Sequence, residues 1–497
     1  MSFNSLDYLL FFPAVVLIYF LFPKKIRTYW LLAASYYFYM SWNAGYGLLV
    51  LFATVITYLC GLGLERAKKL GEEPKRRRCK RAVIIAGLAV IFGMLIYYKY
   101  SDFAAGNINV LLAKLGTAGR LRRVDILLPV GISFFTFQAA GYLIDVYRDN
   151  IEAEKNPFRY ALFISFFPHI AAGPIERAGD FLPQLKDPPG FDTENARSGL
   201  LTMAYGLFMK IAVADNIAAV VDPVFNAPDD HSGMTLLFAS LLFAVQIYCD
   251  FNGYTQIAIG SARVLGFKLR QNFNSPYMGL SVKDFWKRWH ISLTSWFRDY
   301  LYIPLGGNRK GKIRKHVNTM IVFLCSGLWH GAAWQFVVWG GLNGLFSVVE
   351  DAVKPAKKRL CARLSINTDA FMYKAFQRAA TFVLISFTWL FFRADDLAAA
   401  FHMLEMIAED FRLAWLFNFG FVDVFGSPYA LMTVLIPLIA VIVTDVMNYH
   451  GKDVKAAIFR QQTVFRWIIY AVIMLAILYW GLYGADYEQT QFIYFKF

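Results

Sequence analysis

The chain alternates between long apolar runs and short polar connections. Apolar runs occupy residues 6–22, 28–42, 47–64, 82–98, 126–144, 158–175, 198–222, 232–259, 317–349, 373–392, 429–444 and 467–485. A membrane-crossing helix needs about 20 mostly apolar residues. Most of these runs meet that length, and none shows the alternation of about ten residues that marks a transmembrane β-barrel. Only helices satisfy the backbone within one segment in lipid, so the pattern predicts an all-α polytopic membrane protein. No internal repeat or low-complexity segment interrupts it. The whole chain, 1–497, reads as one integral-membrane domain.

Polar connections predict a topology. Segment 65–81 has nine basic and three acidic residues, and 260–316 has twelve basic and two acidic. Excess Lys and Arg marks the cytoplasmic side, so both belong inside, and 260–316 reads as a basic amphipathic segment at that face. The simplest way to reconcile the two assignments is for 158–175 to enter and return. Pro168 and Gly173-Pro174 break helices there, and re-entrant backbone is tolerated where protein covers it. Acidic segments 223–231 and 393–428 then fall outside, as do the N-terminus and the tail 486–497. The 33 residues of 317–349 contain no Lys, Arg, Asp or Glu and predict a hairpin broken near Gly340-Gly341. The total is eleven to twelve crossings plus re-entrant or interfacial helices. The basic residues of 99–125 disobey the charge rule.

Composition agrees with this picture. Hydrophobic residues make up 58% of the chain and charged residues 17%, against roughly 25% charged in soluble proteins. Fifty Lys and Arg against 35 Asp and Glu give a net charge of +15. In a membrane protein that excess sits in cytoplasmic loops, so it does not argue for nucleic acid as a partner. Five cysteines, none in a C-x-x-C pair, exclude a disulfide framework. The N-terminus lacks a basic region and a small-residue cleavage site, so the first run is expected to remain as a helix.

Ionisable residues at membrane depth are costly and mark pathways or sites. His330 lies in the uncharged run CSGLWHGAAWQFVVW. On one helix, Ser326, Gly327, His330 and Trp334 would share a face. That pattern fits either a functional histidine or a neutral one bonded to a helix neighbour. His290 lies in FWKRWHISLTSWFRDYLYIPLGG, four residues after Trp286, so the two would share the face of an interfacial helix. There an aromatic belt with positive-inside lysines is the plainer reading. Gln246, Asp250 and Tyr254 form an i, i+4, i+8 stripe, suited to a pathway or to structure, and Asp215 reads the same way. The aromatic tail around Phe492, Tyr494 and Phe497 suits interfacial anchoring; a tyrosine hydroxyl reaching into the bundle would accept an acyl group. No Walker loop, H-E-x-x-H or G-x-S-x-G motif is present, and no metal site is indicated.

These residues together resemble the membrane-bound O-acyltransferase family, in particular its bacterial alginate O-acetyltransferase-like branch. The likeness rests on FWKRWHISLTSWFRDYLYIPLGG with GLWHGAAWQFVVWG. LPVGISFFTFQAAGYLIDVYR, AAGPIERAGDFLPQL, DFNGYTQIAIGSARVLGF and QFIYFKF extend it. It implies a helical bundle with a tunnel at a catalytic histidine, matched by His330, with His290 as the second histidine. It implies transfer of an acyl group, acetyl above all, from a cytoplasmic thioester to an extracytoplasmic polysaccharide. Acetyl-CoA or an acyl carrier protein would be the donor, with no bound cofactor. An extracytoplasmic SGNH-type partner and the bacterial cell membrane complete the expectation. Tyr494 corresponds to the tyrosine thought to carry the acyl group. Trp286, Trp289, Trp329, Asp250 and Tyr254 fall in supporting positions, with Trp286 or Trp289 as further oxyanion donors beside His290. The chain departs from the pattern at Gln256 and His169, which bears on acceptor or partner preference. A hydroxyl needs an adjacent base to attack a thioester, and a neutral buried histidine is suited to that role. Two rival readings remain at this point: transfer of D-alanyl from a carrier protein, and a non-enzymatic transporter or export subunit.

Overall fold

Caps and prolines set where the helices begin. Ser5 and Asn43 accept backbone N–H groups at the starts of α1 (Leu6–Leu21) and α3 (Ala44–Lys68), and Pro23 directly precedes α2 (Lys24–Met40). A proline in the first turn gives up no hydrogen bond, as in α4 (Glu73–Lys114). The computed structural model describes residues 1–117, 120–124, 127–171, 173–482 and 492–493, and every regular element among them is helical. The chain divides into two compact units, residues 1–203 with 257–270, and residues 204–256 with 271–497.

The first unit holds α1 to α4, then α5 (Ile132–Tyr147), α6 (Pro157–Ser165), α7 (Phe167–Ile170) and α8 (Ala178–Lys186). Thirteen of the sixteen α5 residues are buried, so its uninterrupted apolar character reflects a core position. Nine-residue α6 spans only about 13 Å at 1.5 Å per residue, too short to cross, and the chain breaks at Phe166. Side chains cover the broken backbone. Gln138 donates to the Phe163 carbonyl, and Ser35 Oγ accepts the Phe167 N–H at 3.1 Å. Gly131, at φ 73°, lets the same break close on α5: a Cβ there would lie 2.2 Å from the Ile170 carbonyl oxygen. Neither α6 nor the four-residue α7 is long enough to cross a membrane. His169, one of the two departures noted above, packs against Phe166 and Phe181 inside this unit.

The second unit begins within α9 (Thr193–Leu207). A π-helical turn (Phe208–Ala214), α10 (Asp215–Asn226) and the greater part of α11 (Gly233–Val264) follow. Short helices α12 (Val282–Arg288) and α13 (Ile291–Phe297) lead to α14 (Gly311–His330), α15 (Trp334–Arg363) and α16 (Phe371–Arg393). After α17 (Leu397–Glu409), α18 (Ala414–Phe417) and α19 (Gly420–Val424) come α20 (Pro428–Tyr449), α21 (Val454–Phe459) and α22 (Thr463–Trp480). The uncharged run is a hairpin, but it breaks at residues 331–333, directly after His330, not at Gly340-Gly341. The glycines serve contact instead. A Cβ at Gly340 would lie 2.3 Å from the Phe323 carbonyl oxygen, and one at Gly327 would lie 2.2 Å from that of Phe336. Bare backbone thus lets α14 and α15 touch, as small residues do between membrane helices.

Among the described residues eight helices are long and apolar enough to cross a membrane: α3, α4, Thr193–Asn226, α11, α15, α16, α20 and α22. The larger expected count adds α1, α2, α5 and α14, of which the first and third have sixteen residues and the second seventeen. Lipid-facing surface is evident on α22, where only Ile477 is buried while Val464, Trp467, Val472 and Leu475 are more than half exposed. Water would not tolerate so large an apolar patch; a bilayer requires it. The protein is a multi-pass helical membrane protein.

Two adjacent glycines separate contact from mere composition. Gly340→Ala forces its Cβ into the Phe323 carbonyl and is expected to cost about 1–3 kcal/mol, the range of overpacking. At Gly341 the same substitution meets only Leu324 Cδ2 at 3.7 Å and is expected to be neutral or stabilising by up to about 1 kcal/mol, since glycine disfavours helix interiors. Thermal unfolding in detergent distinguishes the two; equal behaviour would refute the close-contact role of Gly340.

Candidate active site

His330 is the last residue of α14, and the chain leaves it in an extended conformation at Gly331. Its ring is edge-on to Trp329, Trp339 and Phe392, with centroids 4.9, 4.9 and 5.4 Å away. Only 4% of the residue is exposed. Trp339 in turn stacks on Trp389 at 5.5 Å and meets Trp286 edge-on at 5.6 Å. Aromatic pairs of this kind are worth about 0.5–1.5 kcal/mol each beyond the area they bury. The histidine is therefore held by a rigid wall rather than by its own helix face. Trp334, expected on that face, begins α15 and is 53% exposed.

His290 does not share a helix with Trp286. Helix α12 ends at Arg288, and His290 takes the left-handed conformation, φ 44° and ψ 52°, before α13 starts. Few non-glycine residues adopt that region, and such residues gather at functional sites. Asn272 fixes the turn: its carbonyl accepts the Ile291 N–H at 2.9 Å, and its Oδ1 accepts the Ser292 hydroxyl at 2.6 Å. The His290 ring lies edge-on to Phe251 at 4.8 Å and 5.8 Å from Trp329. Trp329 consequently touches both histidines. Trp289 is buried against Phe285, Phe273 and Trp389. Trp286 donates its indole N–H to Asn343 Oδ1 at 3.2 Å; that commitment removes it as an oxyanion donor.

Beside His330 a cavity of about 380 Å³ opens, with Gly331, Ala332, Ala333 and Phe336 along one wall. Its charged lining comprises Lys210, Arg393, Asp215, Asp222, Asp250 and Asp395, two cations against four carboxylates. Arg393 reaches Asp222 at 2.9 Å, and Gln335 donates to the Asp395 carbonyl at 2.9 Å. The stripe on α11 faces this place. Gln246 and Asp250 line the cavity, and Tyr254 carries the Phe492 ring at 4.4 Å. Phe492 also lies 5.7 Å from Phe251, the ring that meets His290. Asp250 Oδ2 accepts the Ile493 N–H at 2.8 Å, and Ile493 lines the cavity. Tyr494 and Phe497 lie outside the described residues.

Lys210 escaped the sequence reading. It sits on the π-helical turn, 1% exposed, with Nζ 2.8 Å from Asp215 and 2.7 Å from Asp250. The signal was present as a lysine inside the apolar run 198–222. Intramembrane charges pair with one another, so Asp215 and Asp250 were its natural partners. Gln256, the other departure, donates to Asn252 Oδ1 at 3.0 Å within α11.

Comparison with known proteins places the arrangement. The model of the membrane-bound O-acyltransferase family matches residues 148–394. A probable alginate O-acetylase of Pseudomonas aeruginosa is 35% identical over 406 residues, 82% of this chain and 74% of that protein. A peptidoglycan O-acetyltransferase of Helicobacter pylori is 35% identical over 411 residues, covering 78% and 73%. A teichoic acid D-alanyltransferase of Bacillus subtilis is 32% identical over 224 residues, covering 42% and 56%. With this extent of match and a buried histidine pair in a helical membrane bundle, the chain belongs to the membrane-bound O-acyltransferase family and is an O-acyltransferase.

Proposed function

We propose that the protein moves an acetyl group from a cytoplasmic thioester, acetyl-CoA, to the outside of a bacterial cell membrane for O-acetylation of a polysaccharide. The observation that carries this reading is the ring cluster in which Trp329 joins the two histidines, next in the chain to the cavity wall that begins at Gly331 and includes Ile493. The relatives named for alginate and peptidoglycan O-acetylation span about four-fifths of the chain. The D-alanyl-transferring relative spans less than half, which favours acetyl over D-alanyl transfer.

In this mechanism His330 is the general base. It takes the proton of an attacking hydroxyl while the oxygen adds to the thioester carbonyl. His290 donates to the oxyanion as the tetrahedral intermediate forms. Collapse expels the thiolate, which recovers the proton from His330. Tyr494, next to the seated Ile493, is the hydroxyl that accepts the acetyl group first. A second hydroxyl, on an extracytoplasmic SGNH-type partner or on the polymer, then takes it from the tyrosine ester. The excess of carboxylates in the cavity repels a polyanion, which supports handing the group to a partner rather than admitting an acidic polymer. The basic segment 260–316 would attract the phosphates of the donor.

Two variants test the reading. His330→Ala is expected to slow release of coenzyme A thiol from acetyl-CoA by about 10²–10⁴-fold in lipid-reconstituted protein, the usual contribution of a positioned base. Unchanged release would remove His330 as the base. Tyr494→Phe is expected to abolish polymer acetylation in cells and to remove an acetyl adduct from the peptide containing residue 494, read by intact-peptide mass. Full acetylation by this variant would end the relay.

A further inference from the structure

The ion triad on the cavity wall explains something the two histidines do not: how the segment 492–493 is held. Lys210 Nζ lies between Asp215 Oδ1 and Asp250 Oδ1, and the second oxygen of Asp250 accepts the Ile493 N–H. A lysine shared by two carboxylates leaves one negative charge in a buried place. That charge is directed at a main-chain donor 243 residues away in the chain. Burying such a group without partners is expensive, and a charge-assisted bond to a backbone N–H is the strong kind that offsets it.

The local fold is shaped for this. The π-helical turn inserts an extra residue per turn at Lys210, a feature that recurs at functional sites. Helix α11 meets it through Gly253, where a Cβ would lie 2.8 Å from the Gly206 carbonyl and 3.1 Å from the Lys210 nitrogen. This close approach brings Asp250, one helical turn before Gly253, within reach of the ammonium group. Lys210 Nζ also lies 5.6 Å above the Tyr254 ring, and that ring's neighbour is Phe492. Charge and aromatic contacts from the same two elements therefore grip two consecutive residues, Phe492 by its ring and Ile493 by its backbone.

We propose that the Lys210–Asp215–Asp250 triad is the seat of residues 492–493, with Lys210 a positioning residue that orients Asp250 toward the Ile493 N–H. The functional weight of the seat rests on the relay reading above, because residue 494 directly follows the residues it holds. The seat itself is a matter of structure and is tested separately.

The test is hydrogen–deuterium exchange by mass spectrometry on the full chain in lipid nanodiscs, comparing peptides that cover 492–493 with peptides from α10 and α11. Asp250→Ala removes the acceptor and leaves Lys210 paired with Asp215, so the site becomes neutral and the protein is expected to fold. Exchange at the Ile493 amide should rise at least about tenfold, the loss expected for a hydrogen bond to a charged group. The peptides of α10 and α11 should keep the wild-type rate. Lys210→Met should raise exchange in the same peptide, and Lys210→Arg, which keeps a cation between the carboxylates, should restore protection. Wild-type protection in Asp250→Ala would overturn the seat. So would a uniform rise across α10 and α11, which would make the triad a general stabiliser. Loosened exchange with polymer acetylation intact would uphold the seat and dismiss the relay.

Discussion

Charge is costly wherever water is scarce, and this constraint governs the second unit. Lipid-facing helices can be built from almost any apolar residue, as the bare outer surface of α22 shows. The inner face of α11 has no such freedom. Asp250 must have a cation, the cation must have a geometry that reaches it, and the remaining oxygen must have a donor. Lys210, the π-helical turn that presents it, Gly253 and the Ile493 N–H each answer one of those demands. Each of them serves Asp250, so the elements that carry them are tied together by a demand that apolar packing alone would not impose.

The histidines meet the same constraint by a different route. Both are walled by rings. Trp329, Trp339 and Phe392 surround His330, while Phe251 and Trp329 meet His290. An aromatic wall excludes water and restricts the rotation of an imidazole. Two environments thus lie a few residues apart: the ring cluster about the histidines and the charged cavity wall that holds Ile493.

Much of this was legible in the sequence because the bilayer imposes simple rules. Run length gave the spanning helices, and Pro168 with Gly173-Pro174 marked the segment whose helices are too short to cross. His330 stood out as an ionisable residue in an uncharged run. The failures share a cause: they concern contacts between elements. Gly340 was read as a breaker, yet it is a contact surface for α14, and the break falls where His330 caps its helix. His290 was placed on a helix with Trp286 because helical spacing fits, whereas Asn272, eighteen positions earlier, holds it in a left-handed turn. Lys210 was absorbed into an apolar run because its partners lie on other stretches of chain. Periodicity describes one element at a time, and each of these residues is defined by a second element.

A transfer across a membrane adds one further demand. In the proposed reaction donor thioester and final acceptor are on opposite sides, so the acyl group must change environment without an open path for water. A group carried on the protein's own chain meets that demand if the carrier is fixed well enough to meet the base and loose enough to be reached from the other side. A grip on the main chain does this better than a grip on a side chain. The bond from Ile493 N–H to Asp250 fixes the path of the backbone and leaves neighbouring side chains their own torsions. Ion pairing by Lys210 orients that acceptor, and the contact of the Phe492 ring with Tyr254 adds a second hold on the segment. The charged wall and the Tyr254 ring thus act on consecutive residues, Ile493 by its backbone and Phe492 by its ring.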